Sequence, residues 1–217
     1  MKMSTGVAAM KMPDSPPMMN IDTNDKANNI AVVEAVRQVI SIPLTVGGGV
    51  RRAEDAARLL DAGADKIGIN TAAVDRPELI TEMSSRFGAQ CTVVAVDAAR
   101  AGAVWEVVVR SGKVRTGLDV VEWCRKAVAH GAGEVLLTSW DRDGTGEGYD
   151  LELIARVAEA VNVPVIASGG ASSHLNMVEA YRAGATAALV ASILHDGITT
   201  VDELKRGIIS AGILVRP

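Results

Sequence analysis

Three carboxylates and two glycine turns are the residues of this chain whose types and spacing could do chemistry. Asp97 ends the apolar run Thr92-Val-Val-Ala-Val96, and Asp141 and Asp143 follow the run Glu134–Trp140. A carboxylate at the end of a buried strand suits general acid or base work, although such a residue can also be a helix cap or a plain loop residue. The glycine turns are Gly47–Gly49, after Pro43-Leu-Thr-Val46, and Ser168-Gly169-Gly170, after Pro164-Val-Ile-Ala167. The spacing of Gly48, Gly63 and Thr71 recurs without a gap in Gly169, Gly184 and Ser192. Each copy reads as strand, glycine turn, helix, strand and a small polar pair, Asn70-Thr71 in one and Ala191-Ser192 in the other. Backbone N–H groups in glycine turns and at helix N-termini attract anions. Two matched turns point to a ligand with phosphate at both ends; tight turns that hold no ligand are the alternative.

The segment Asp141-Arg-Asp-Gly-Thr-Gly-Glu-Gly-Tyr-Asp150 packs four acids and three glycines between two apolar runs. It reads as a substrate loop, with a flexible acidic connector as the alternative. Its spacing does not fit a calcium loop. His130, His174 and His195 lack ligand spacing, and Cys91 and Cys124 sit far apart in apolar or amphipathic runs. The expectation is no metal, no cofactor and two free, buried thiols.

Positioning these residues requires alternating strands and helices. Helical periodicity covers Asn28–Ile40, Arg52–Asp61, Pro77–Arg86, Leu118–Ala129, Asp150–Ala160, His174–Arg182 and Val201–Ser210. Strand patterns cover Pro43–Val46, Lys66–Ile69, Cys91–Val96, Glu134–Trp140, Val163–Ala167 and Ala187–Val190, with a further short strand at Met18–Asp22. Val104–Val114 reads as an inserted hairpin turning at Ser111-Gly112. Residues 1–17, rich in methionine and proline, read as a mobile tail ahead of one domain spanning 18–217. The alternation predicts parallel β/α units, and the repeat across halves favours a (β/α)8 barrel over a doubly wound sheet. In such barrels the functional groups sit where strands end.

Composition narrows the class. Nearly half the residues are apolar (48%) and only 3% aromatic, which suits buried strands packed on small-residue helices. A net charge of −4 without a basic block argues against a nucleic-acid surface, so phosphate would be held chiefly by neutral backbone donors. No run has the length of a membrane span and the N-terminus lacks a signal-peptide pattern, so the expectation is a cytoplasmic protein.

The runs Leu136-Leu-Thr-Ser-Trp-Asp-Arg-Asp-Gly-Thr145 and Gly148-Tyr-Asp150 resemble the cyclase subunit of imidazole glycerol phosphate synthase. Thr45–Gly49, Gly63–Val74, Val93–Asp97 and Ile166–Ala171 match the same family in the same order, over roughly residues 28–216. The resemblance implies a (β/α)8 barrel of histidine biosynthesis. Such an enzyme joins ammonia to a doubly phosphorylated ribulosyl aminoimidazole carboxamide ribotide, with ammonia delivered by a glutaminase partner at the N-terminal face of the barrel. It implies that Asp97 is one of two catalytic aspartates, and that Gly48, Gly49, Asn70 and Thr71 form one phosphate site. Asp143, Gly144, Ser168, Gly169, Gly170, Ala191 and Ser192 would bind the rest of the substrate or its other phosphate. Lys66 and Glu134 match charged residues gating ammonia, while Asp65 and Gln90 match the glutaminase-facing side.

The family's opening strand, which carries the other catalytic aspartate, and the lysine-bearing loop after it have no counterpart before Asn20. The expectation is therefore an N-terminally truncated barrel, weakened turnover, and self-association through the exposed barrel edge. Two other readings stay open: a non-catalytic protein binding a bisphosphate or a glutaminase, and a sugar-phosphate isomerase on the same barrel.

Overall fold

Runs of three to six apolar residues alternating with amphipathic helices can bury both only by laying the helices along one face of a parallel sheet. In the computed structural model, which describes residues 26–216, the chain does this. Helix α1 (Lys26–Val39) precedes β1 (Thr45–Gly47), α2 (Ala53–Asp61), β2 (Lys66–Ile69), α3 (Thr71–Asp75) and α4 (Glu78–Phe87). Then come β3 (Thr92–Ala101), β4 (Val104–Val109), β5 (Val114–Asp119), α5 (Val120–Ala129), β6 (Glu134–Ser139) and α6 (Leu151–Ala160). The chain ends with β7 (Val165–Ser168), α7 (His174–Arg182), β8 (Ala187–Ala188), α8 (Ser192–His195) and α9 (Val201–Ser210). The parallel path runs β1-β2-β3-β6-β7-β8, with β4 on β3 and β5 on β4 as an antiparallel flap. Among the described residues β1 and β8 each pair with one neighbour. This curled parallel sheet with alternating helices is the (β/α) barrel architecture. The strand expected at Met18–Asp22, and the tail before it, lie outside the described residues.

Side-chain alternation sets two layers. On β2 and β6, Ile67, Ile69, Val135 and Leu137 are buried toward the helices, while Lys66, Glu134, Leu136 and Thr138 on the opposite face are half-buried. Leu79, Ile80 and Met83 of α4, Trp123 and Cys124 of α5, and Leu153 and Val157 of α6 complete the same buried cluster. Each such side chain, fully buried, contributes about 1.5–3 kcal/mol. Asp119 and Asp150 cap α5 and α6 by accepting backbone N–H bonds from Val121 and Glu122, and from Leu153. Cys91 and Cys124 are free, but only Cys124 is buried, and burial pushes its thiol up to about 12.

The insertion is larger than a hairpin. β3 passes through Asp97 and continues to Ala101, so its second half forms a three-stranded antiparallel ladder with β4 and β5. Ala98 and Ala99 favour helix over strand, which hides this continuation from the sequence pattern. Helices α3 and α8 are too short to show a period, and α5 starts at Val120, after a strand where the pattern placed helix from Leu118.

Candidate functional site

Asp97 occupies a junction. Its backbone pairs with Thr138 in parallel on one side and with Val108 antiparallel on the other. The register puts its side chain on the same face as Thr138, at the end of the strands from which the βα loops rise. One Asp97 carboxylate oxygen accepts a hydrogen bond from Asn70 Nδ2 at 3.0 Å. Burial raises its pKa from 3.8 to about 6, the Asn70 bond partly opposes this, and the negative charge of Asp143 adds to the rise. A carboxyl balanced near 6 can both take and return a proton near neutral pH. The other amide atom of Asn70, Oδ1, is buried and has no hydrogen-bond partner among the described residues.

The structure thus gathers Asn70, Asp97 and Asp143. It separates Asp141 from them: that carboxylate accepts the Arg100 N–H at 2.6 Å and ties the acidic loop to the hairpin. The loop is strapped down rather than loose. Asp143 N–H donates to Ser139 O at 2.9 Å, Gly148 N–H to Gly170 O at 2.7 Å, and the Tyr149 hydroxyl to Leu189 O at 2.9 Å.

The two glycine turns differ physically. Gly169 and Gly170 are buried, and a Cβ there would lie 2.7 Å from Ser139 O and 2.3 Å from Gly148 O respectively. These glycines let the acidic loop close onto β7. Gly48 and Gly49 adopt φ of 99° and 71°, yet a Cβ at either meets nothing within 4 Å among the described residues. Their backbone is exposed beside the end of β2, where Asn70 and Thr71 follow. Gly144 is exposed with φ 75° in the acidic loop, Ser168 ends β7, and Ala191-Ser192 lead into α8.

At the opposite end of the strands, Lys66 and Glu134 open β2 and β6 and form an ion pair across the intervening β3. Asp65 lies beside them, but its carboxylate accepts Leu44 N–H at 2.7 Å and pairs with Arg37, whose Nε donates to Gly63 O at 2.7 Å. Those bonds hold the Asp65 carboxyl below its usual range, the Leu44 N–H being the leading cause. Gln90 is exposed, its amide donating to Phe87 O at 3.4 Å.

Sequence reasoning passed over the tip of the β4–β5 hairpin. Arg110 donates its backbone N–H to Thr71 Oγ1 at 3.1 Å, and Gly112 lies against the Trp140 ring, where a Cβ would approach to 2.1 Å. The tip thus bridges the ends of β2 and β6. Left-handed turn chemistry at Ser111-Gly112 signals the turn, but nothing local signals what it folds onto. The hairpin is anchored by Trp105, whose Nε1–H donates to Asp150 at 2.8 Å while Arg100 and Arg156 lie over its ring at 4.2 and 5.3 Å.

A parallel β/α barrel with a proton-balanced carboxylate at the strand ends and an ion pair at the strand starts defines a barrel enzyme. Residues 18–200 match the family described as "Histidine biosynthesis protein". Among curated relatives, imidazole glycerol phosphate synthase subunit HisF of Metallosphaera sedula is 53% identical over 189 residues, covering 85% of this chain and 75% of the relative. The protein of the same name from Gluconacetobacter diazotrophicus is 51% identical over 186 residues, 85% of this chain and 72% of the relative. That of Synechococcus sp. (strain CC9605) is 50% identical over 194 residues, 87% and 76% respectively. The chain belongs to this histidine biosynthesis family, among the cyclase subunits of imidazole glycerol phosphate synthase.

Proposed function

We propose that this chain closes an imidazole ring by joining ammonia to the family's ribulosyl aminoimidazole carboxamide ribotide, releasing imidazole glycerol phosphate and an aminoimidazole carboxamide ribotide. One observation carries the reading: Asp97 is half-buried at the mouth, held by Asn70, and raised to about 6. A group with that balance moves protons during amine addition, ring closure and cleavage, and Asp143 keeps it from ionising too readily. One phosphate of the substrate rests on the open backbone of Gly48 and Gly49 with Asn70 and Thr71. The other end lies along Asp143, Gly144, Ser168, Gly169, Gly170, Ala191 and Ser192. Ammonia enters at the strand starts past Lys66 and Glu134, delivered by a glutaminase subunit docked near Asp65 and Gln90, in the cytoplasm. Copies of the chain also associate through the outer edges of β1 and β8, which pair with no strand among the described residues, because open strand edges recruit partners.

Turnover of the ribotide with excess ammonium, followed as imidazole product, tests this, and the expectation of weakened turnover is read from the same rates. Asp97→Asn is expected to lower the rate by about 10²–10⁴. Equal rates for the variant and the parent chain would overturn the assignment of Asp97.

A further inference from the structure

The hairpin tip carries more strain and more charge than a connector needs. Ser111 and Gly112 have φ of 57° and 73°, and Lys113 N–H donates to Arg110 O at 3.4 Å, the pattern of a two-residue type I′ turn. That turn requires left-handed backbone at its two central residues only. Arg110, just before them, is also left-handed, with φ 54°, at a side chain that disfavours it. This extra rotation accompanies the bond from its N–H to Thr71 Oγ1 at 3.1 Å. The hydroxyl hydrogen of Thr71 is thereby left to point elsewhere, and an oxygen that accepts one bond donates its own more strongly.

Charge points the same way. Three neighbouring arginines are neutralised: Arg100 by Glu152, Arg115 by Glu106 and Arg142 by Glu147. Arg110 is exposed and makes no ion pair among the described residues, and Asp97, Asp141 and Asp143 lie at the same end of the barrel. A guanidinium without an ion pair, on a backbone fixed to Thr71, offsets the repulsion that these carboxylates would exert on a dianion.

We propose that Arg110 sets the affinity for one end of the substrate, its guanidinium closing over a dianionic phosphate monoester seated at Gly49, Asn70 and Thr71. The hairpin tip then acts as a clasp, fixed by Thr71 on one side and Trp140 on the other. This rests on reading Gly49, Asn70 and Thr71 as a phosphate cradle, and adds a cation where the sequence pointed to neutral backbone donors alone.

The test is a titration of the full chain with inorganic phosphate, followed by amide NMR at Thr71 and separately at Gly170. Arg110→Asn removes the charge and places a residue tolerant of left-handed backbone, so its melting temperature should equal or exceed the parent's. Phosphate affinity read at Thr71 should fall roughly tenfold, as expected for loss of a charge-assisted contact, while the response at Gly170 stays unchanged. Arg110→Lys should restore part of the loss. In turnover, the KM for the substrate should rise with kcat nearly constant. Unchanged affinity at Thr71 in a folded Arg110→Asn chain would overturn the role of Arg110 and leave the cradle standing. A parent chain whose Thr71 amide ignores phosphate would overturn the cradle, and Arg110's role with it.

Discussion

Asp97→Asn should make the protein slower and sturdier at once. The native state holds this carboxyl at about 6 against 3.8 in a free chain, so ionising it in place costs about 3 kcal/mol. Because the native value is raised, Asp97 favours folding most fully below pH 3.8, and that contribution is lost as pH rises through 6. An uncharged amide of the same shape escapes the penalty. It can also offer a donor to Asn70 Oδ1, which is buried without a hydrogen-bond partner among the described residues. At pH 8 the substitution should therefore stabilise by about 2–3 kcal/mol, raising the melting temperature by roughly 5–10 °C for a domain of this size. Near pH 4 the gain should shrink toward zero, because both forms are then neutral in the native state. Denaturant melts of both chains at pH 4 and pH 8, beside the turnover assay, measure this. A variant less stable than the parent at pH 8, or a stability difference that ignores pH, would refute the buried-charge explanation.

Two further outcomes follow from the geometry. Gly170→Ala, whose Cβ would lie 2.3 Å from Gly148 O at φ 96°, should cost about 3 kcal/mol or more. Gly48→Ala, with nothing near its Cβ among the described residues, should cost only the backbone penalty of about 1–2 kcal/mol, and equal melting temperatures for the two would contradict the difference between the turns. Asp65→Ala should lose about 1 kcal/mol through the Leu44 and Arg37 bonds, the group being largely exposed. Since its native pKa is lowered, that difference should hold above pH 3.8 and close as pH falls through the lowered value, read from melts across the acid range.

Where the hydrophobic period spanned more than two turns or a β-branched run, the sequence made the element visible: α2, α6 and the first half of β3 are examples. Elements of little more than one turn, such as α3 and α8, left no trace. The repeated glycines were plain as a pattern, yet their meanings differ, because what crowds Gly170 is a loop carbonyl more than twenty positions earlier, while nothing among the described residues crowds Gly48. Asp97 was legible because it ends an apolar run. Its coupling to Asn70 and Asp143, the diversion of Asp141 to Arg100 N–H, and Arg110 over Thr71 all depend on contacts between separate loops, which spacing does not encode.

Strand β3 serves three ladders, with β2, β6 and the flap, and Asp97 lies where those with β6 and the flap overlap. The candidate carboxylate is thus registered by the barrel from one flank and by the inserted flap from the other. Lengthening, shortening or resequencing the flap would retune the acid's position and water access without disturbing a single stave. The insertion is therefore a dial on the chemistry, set apart from the load the barrel carries.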